Sequence, residues 1–225
     1  MKSYQNKWKV RRSEIPFTTS KFIYHYTDLF GFKGIVESKG VWASHIRYMN
    51  DAEEVLHGRR LALRVLSWLA QKPEYSSFSD VLKRVIDNIN RSNVPDYYIA
   101  CFSRRGDSLD QWRGYCQNGG VSIEFSLLNM HPFMILPVLR LSDVIYSDYM
   151  KARRIILKIK RYAYEFEMDK MHYGEEFPRY IDEQLEEYAK HLLLSLEYMF
   201  LTFKNNAFNN EHEVTCPHVG HQRLC

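Results

Sequence analysis

The stretch Tyr97-Tyr98-Ile99-Ala100-Cys101-Phe102-Ser103 decides the fold. Aromatic and β-branched residues fill it, and the polar loop Arg104-Arg105-Gly106-Asp107-Ser108 closes it, so it reads as a strong strand. Outward toward the C-terminus, Leu109–Tyr115 reads as a short helical turn. Asn118-Gly119-Gly120 is a turn signal, and Val121–Phe125 is another strand. Pro137–Tyr146 predicts a further strand. Long helices follow over 148–170 and 178–205, and a last strand over Glu211–Thr215. Outward toward the N-terminus, helical spacing marks Phe78–Asn90, with Val81, Leu82, Val85, Ile86 and Ile89 facing inward, and a helix opening at Asn50-Asp51. Two strands precede these, Phe22–Tyr26 and Val41–Ile46. Between them Asp28 caps a helix whose apolar positions are Leu29, Phe32, Ile35 and Val36, and Gly40 ends it. Strands, helices, strands and helices in blocks predict an α+β fold with a mixed or antiparallel sheet rather than alternating βαβ units.

The chain has 225 residues, 45% hydrophobic and 26% charged, which suits one globular domain over residues 22–214. Its net charge of +4 is concentrated in a basic arm, residues 1–21, leaving the rest near neutrality. A DNA-binding domain carries its basic surface on the fold itself, so the profile argues against one. The arm, together with Lys151, Arg153, Arg154, Lys158, Lys160 and Arg161, leaves a nucleic-acid-associated reading open. The opening residues lack the apolar core of a signal peptide. His191–Phe203 is too short and too polar to span a bilayer. A cytoplasmic protein with reduced thiols is expected.

Glycine-rich nucleotide loops, a Gly-x-Ser-x-Gly elbow and His-Glu-x-x-His are all missing, which argues against Rossmann enzymes, P-loop ATPases, α/β-hydrolases and zincins. Four constellations remain. His25, in Tyr24-His25-Tyr26-Thr27, ends a strand and can direct its ring into a cleft, donating to a ligand hydroxyl, or serve the following turn. Tyr48, in Arg47-Tyr48-Met49-Asn50-Asp51, can staple the helix start that Asn50 or Asp51 caps. Ser103 ends the central strand, and Gln111-Trp112-Arg113 follows with an aromatic platform and a bidentate anion binder. Glu211 and Glu213 share one face if 211–214 is a strand, and two such acids repel, raising one pKa. His25 and Ser103 are expected within side-chain reach of one another.

In this order the pieces resemble the bacterial domain-of-unknown-function family 2971. The likeness rests on His-Tyr-Thr, Trp-Ala-Ser, Met-Asn-Asp-x-x-Glu, Cys-Phe-Ser, Gln-Trp-Arg-x-Tyr and Phe-Lys-x-x-Ala-Phe-x-x-Glu-x-Glu, between about residues 22 and 214. The layout also resembles ADP-ribosyltransferase-like folds, in which a split sheet flanked by helices holds NAD. That resemblance implies NAD as substrate, with Glu213 and Glu211 as catalytic acids and His25 on the adenosine ribose. Tyr26, Tyr48 or Trp112 would stack on a ring, Ser103 would match a middle-strand position, and Arg113 would meet the pyrophosphate. It implies an ADP-ribosyltransferase or NAD glycohydrolase, as in bacterial toxins and phage-defence effectors. A catalytically inactive interaction module is the alternative. Relatives continue with Glu-x-Glu-Trp-Arg, whereas here Glu213 leads into residues 215–225, expected to be an atypical tail with few core contacts because Pro217 and Gly220 break strands. Cys216, His218, His221 and Cys225 lie there with a spacing unlike structural zinc sites, so no metal is expected.

Overall fold

The computed structural model describes residues 21–48, 51–127, 141–174, 181–219 and 223–224. The basic arm before Lys21, the cap residue Asn50, the start of the strand expected from Pro137, the start of the helix expected from Pro178, and His221 and Cys225 lie outside the described residues. The chain forms two compact units. The first comprises Met1–Ala52, Pro95–Tyr146 and Lys204–Cys225; the second comprises Glu53–Val94 and Ser147–Phe203.

The first unit holds the sheet. Its strands are β1 (Phe22–Asp28), β2 (Val41–Trp42), β3 (Ser44–His45), β4 (Tyr97–Ser103), β5 (Gly120–Ser126), β6 (Ser142–Asp143), β7 (Glu213–Val219) and β8 (Arg223–Leu224). All described pairings are antiparallel, in the order β5-β1-β4-β7-β6, with β3 also against β4 and β2 paired to β8. The expected strand over 41–46 is broken into two short pieces and a 3-10 turn, Ile46–Tyr48. Helix α1 (Leu29–Ser38) starts where Asp28 accepts from the Gly31 amide at 2.7 Å, as its capping position predicts. Lys39, with φ 53°, closes it in the left-handed conformation expected of the neighbouring glycine. Its apolar stripe is not buried: Leu29, Phe32 and Val36 are all exposed. Gly119 does the work its turn signal implies, with φ +93°, delivering the chain into β5.

β1 and β5 pair along their full length, from Phe22↔Ser126 to Asp28↔Gly120. β4 and β7 do the same, from Tyr97↔Val219 to Ser103↔Glu213. Between these halves the sheet is nearly split: β1 meets β4 at Tyr24↔Ser103 alone. Further along the same edge of β4, β3 pairs at Ser44↔Ile99 and His45↔Tyr98. Ala100, Cys101 and Phe102 lie between these two points of pairing. The core under the sheet gathers Ile23, Ala43, Phe102, Val214 and Cys216.

The final strand corrects the sequence reading at both ends. Residues 206–211 form a 3-10 turn, and His212, with φ 47°, swings the chain before β7 begins. Glu211 therefore lies outside the strand and does not share a strand face with Glu213. At the other end the strand runs through Pro217 to Val219, and Thr215 and Cys216 are buried rather than loosely held. The Arg104 amide donates to the His212 carbonyl at 3.0 Å. That bond fixes the alternation, so the bonds of β7 toward β4 fall at residues 214, 216 and 218. Proline at 217 lacks an N–H that would point away from β4, and no bond of that ladder is lost.

The second unit is helical: α2 (Asp51–Leu69), a 3-10 turn (Pro73–Phe78), α3 (Ser79–Arg91), α5 (Asp148–Tyr173) and α6 (Ile181–Phe200), with α4 (Leu109–Tyr115) belonging to the first unit. Val81, Leu82, Val85 and Ile89 are buried as their spacing predicts. Phe78, Phe166 and Tyr188 pack edge-to-face with centroids 5.1 to 6.2 Å apart. Arg59 and Glu197 form a buried ion pair, and Arg59 also donates to the Ser92 and Asn93 carbonyls at 2.8 and 3.1 Å, tying down the end of α3. Lys151, one of the cations of the basic helix, is 1% exposed and pairs with Asp148 at 2.9 Å. No helix among the described residues is long and apolar enough to cross a membrane.

Candidate functional site

A cavity of about 320 Å³ opens where β1 and β4 part. That is at the lower end of the range for small-molecule sites. β1 supplies His25 through Asp28 on one wall, and β4 supplies Ile99 through Phe102 on the other. Trp42 and Ser44 reach it from one side, because residues two apart in an extended chain face the same way. Gln111 and Tyr115 reach it from α4, because residues four apart on a helix share a face. Glu213 also lines it.

His25 bridges the parting. Its Nδ1 lies 2.9 Å from the Cys101 carbonyl oxygen. A carbonyl only accepts, so Nδ1 carries the proton and donates. Burial lowers the histidine's pKa, against a smaller upward pull from the Cys101 bond. The ring is therefore neutral at pH 7, with Nε2 as an acceptor. This reverses the expected polarity: Nε2 of His25 is an acceptor, where a donor to a ligand hydroxyl was expected.

Glu213 is 4% exposed. Its Oε2 lies 2.6 Å from Lys204 Nζ, and its amide donates to the Tyr146 hydroxyl at 3.0 Å. Oε1 is buried and has no hydrogen-bond partner among the described residues. A buried carboxylate oxygen left unbonded costs free energy unless a ligand or water completes it. The two tyrosines around it carry raised pKa values. Burial first, then the hydrogen bond from the Glu213 amide in the opposite sense and the Glu213 charge, take Tyr146 to about 12. Tyr115 is pushed up by burial first, then by Cys101 and Glu213. The side chain as a whole is 46% exposed, but it is the phenol end, close to these groups, that sets its acidity. Both phenols stay protonated and can donate at neutral pH.

The other expected site residues are placed differently. Tyr24↔Ser103 pairing puts Ser103 on the Tyr24 face of the sheet, while His25 alternates to the Phe102 face. His25 and Ser103 are therefore not a pair. Ser103 donates to the Glu211 carbonyl at 2.9 Å and accepts from the Arg105 amide at 3.1 Å, so its hydroxyl holds the loop. Tyr26 lines the cavity, but its hydroxyl donates to the Arg105 carbonyl at 2.7 Å and accepts from the Ser108 amide at 3.0 Å. Trp112 packs edge-on against Tyr26 and donates to Asp107 at 2.8 Å, away from the cavity lining. Arg113 is exposed on α4 and Tyr48 is 90% exposed; neither lines the cavity. Tyr48 therefore does not form the apolar staple expected of it.

Sequence reasoning passed over Trp42, Tyr115 and Lys204. The helical interval from Gln111 to Tyr115 and the strand interval from Trp42 to Ser44 were the signals that could have found the first two. Cys116 is a free, buried thiol. No group of three or more His, Cys, Asp or Glu side chains among the described residues is placed to hold a metal ion.

The family model described as "Protein of unknown function (DUF2971)" matches Gln111 to Thr215. Residues 111–215 belong to this family. The DUF2971 segment supplies Gln111, Tyr115, Tyr146, Lys204 and Glu213, while His25, Asp28 and Trp42 come from the chain before it. No curated protein and no solved structure matches the chain.

Proposed function

We propose that the protein cleaves the N-glycosidic bond of NAD, as an NAD glycohydrolase or ADP-ribosyltransferase, with Glu213 as the catalytic carboxylate. The unbonded, buried Glu213 Oε1 in a ligand-sized cavity carries this reading. Departure of nicotinamide leaves positive charge on the ribose, and an ionised carboxylate held out of water stabilises such a cation most strongly. Lys204 takes Oε2, leaving Oε1 for the ligand. His25 Nε2 would accept from a ribose hydroxyl, and Tyr115 would donate to one. Trp42, 56% exposed at the cavity, offers a ring face for nicotinamide. In hydrolysis the C1′–N bond breaks with its electron pair on nicotinamide. Water then supplies hydroxide to C1′, and its proton passes by way of Glu213 to solvent. In transfer, an acceptor group takes the place of water, and Glu211, at the end of the preceding turn, is the candidate to position it.

The Lys204 ammonium also favours a second reading, an inactive ligand-binding module, because it offsets part of the Glu213 field. One assay separates the two: nicotinamide release from NAD by wild type, Glu213→Gln and Glu211→Gln. The catalytic reading expects Glu213→Gln to lower the rate about 100- to 1000-fold. Glu211→Gln should spare hydrolysis and slow transfer. Equal rates for wild type and Glu213→Gln remove Glu213 as the catalyst, and absence of release from all three selects the module.

A further inference from the structure

Resting on the N-glycoside chemistry proposed above, and departing from it in the preferred ligand, we propose that the cavity selects a phosphate-free cation: a pyridinium nucleoside such as nicotinamide riboside binds in preference to its 5′-phosphate or to NAD. The charges of the lining point this way. Among its described residues are two carboxylates, Asp28 and Glu213, and neither lysine nor arginine. Lys204 compensates Glu213, but nothing described compensates Asp28 beyond the backbone it caps. The cavity is thus left with an excess negative charge.

The usual means of holding phosphate are occupied or elsewhere. A helix N-terminus binds anions through its free amides. Here the α1 N-terminus adjoins the cavity, and Asp28's own carboxylate already takes the Gly31 amide at 2.7 Å. Arg104 is engaged with Asp143, its Nε lying 3.0 Å from Oδ1. Arg113, the arginine expected at a pyrophosphate, is exposed on α4 and outside the lining.

What the lining offers instead suits a cation carrying a hydroxyl. Glu213 Oε1 is a buried acceptor left unbonded. Trp42, in the lining and 56% exposed, offers an aromatic ring to a cationic one, a pairing that cation–π attraction favours. A pyridinium ring is cationic until the glycosidic bond breaks. A phosphate monoester adds a charge of about −1.5 to −2 at pH 7. Asp28 is exposed, so at low ionic strength a phosphate within about 6 Å of its carboxylate should weaken binding about tenfold.

The test is calorimetric titration of the full chain at low ionic strength with carbocyclic nicotinamide riboside, nicotinamide mononucleotide and NAD. A methylene replaces the ribose ring oxygen in these analogues, so the bond is not cleaved and binding is read apart from catalysis. The riboside analogue should bind about tenfold or more tightly than the mononucleotide. Asp28→Asn, which keeps an N-cap side chain, should narrow that ratio several-fold with folding intact. A mononucleotide or NAD analogue that binds as tightly as the riboside, or an unchanged ratio in Asp28→Asn, overturns the proposal and leaves NAD cleavage to its own release assay. Failure of all three analogues to bind overturns it as well.

Discussion

Replacing Lys204 by methionine keeps the length of the side chain and removes its charge. The ammonium lies 2.6 Å from Glu213 Oε2, with the two side chains 10% and 2% exposed. Removing one partner of such a pair leaves a buried charge uncompensated, which typically costs about 3–5 kcal/mol. Neutralising both partners leaves no buried charge, and replacement of a whole pair by neutral groups of similar size is often close to neutral. Lys204→Met should therefore lower stability by about 3 kcal/mol at pH 7, and Lys204→Met/Glu213→Gln should recover most of that loss. With urea m-values of about 1–3 kcal/mol per molar, the single variant's midpoint should fall by about 1 M or more. Hydrogen exchange at Val214–Cys216 should rise with it, locating the loss in β7. If the double variant is as unstable as the single one, Lys204 acts through packing of its stem. The argument that its charge compensates Glu213 then fails.

His25 sets an acid limit. Its folded-state pKa lies below the ordinary histidine value of about 6.5 because burial disfavours the charged ring. On acidification the unfolded chain takes up the proton first, so stability is full above about pH 6.5 and falls as the pH drops toward the folded-state pKa. The loss is about 1.4 kcal/mol per unit of separation, and His25→Gln should lack this component. NMR titration giving His25 an apparent pKa at or above 6.5 would refute it. Gly120→Ala should destabilise by about 1–3 kcal/mol in urea, because its Cβ would fall 2.5 Å from the Thr27 carbonyl oxygen and 2.7 Å from Cys116 Sγ. Gly114→Ala, with nothing within 4 Å, should be neutral or gain up to about 1 kcal/mol in α4, and equal effects at the two glycines would contradict the packing.

Local chemistry made some of this legible and topology hid the rest. Strand β4 was readable to the residue because Tyr97, Tyr98, Ile99 and Phe102, four of its seven positions, are aromatic or β-branched and a polar loop ends it. Asp28 was readable as a cap, since capping depends on a few adjacent residues. Pro217 misled because a proline's cost depends on which neighbour its missing N–H would have faced, a matter of pairing rather than sequence. Glu211 and Glu213 misled similarly: two acids at an interval of two share a face only in an extended chain, and His212 adopts the left-handed conformation between them. Gln111, Trp112 and Arg113 were grouped because they are adjacent. On a helix, adjacent residues diverge by roughly 100°, so the cavity takes Gln111 and Tyr115 instead.

The site is a product of how β4 divides its edge. One side of β4 is fully occupied by β7, but the other is shared between β1, which touches it at Ser103, and β3, which pairs at Tyr98 and Ile99. A continuous neighbour would have covered Cys101 with a ladder bond and left no room for a cavity. With the neighbour interrupted, the Cys101 carbonyl accepts from His25 instead. That one bond closes part of an open edge, fixes the histidine's tautomer, and turns Nε2 into a neutral acceptor. Across the same strand, β7 brings Glu213 opposite Ser103, at the pair where β1 makes its single contact. The register puts the Glu213 side chain on the Ser103 face and His25 on the Phe102 face, and both line the cavity where β1 and β4 part. Only the register of three strands, and no motif taken singly, brings them to it.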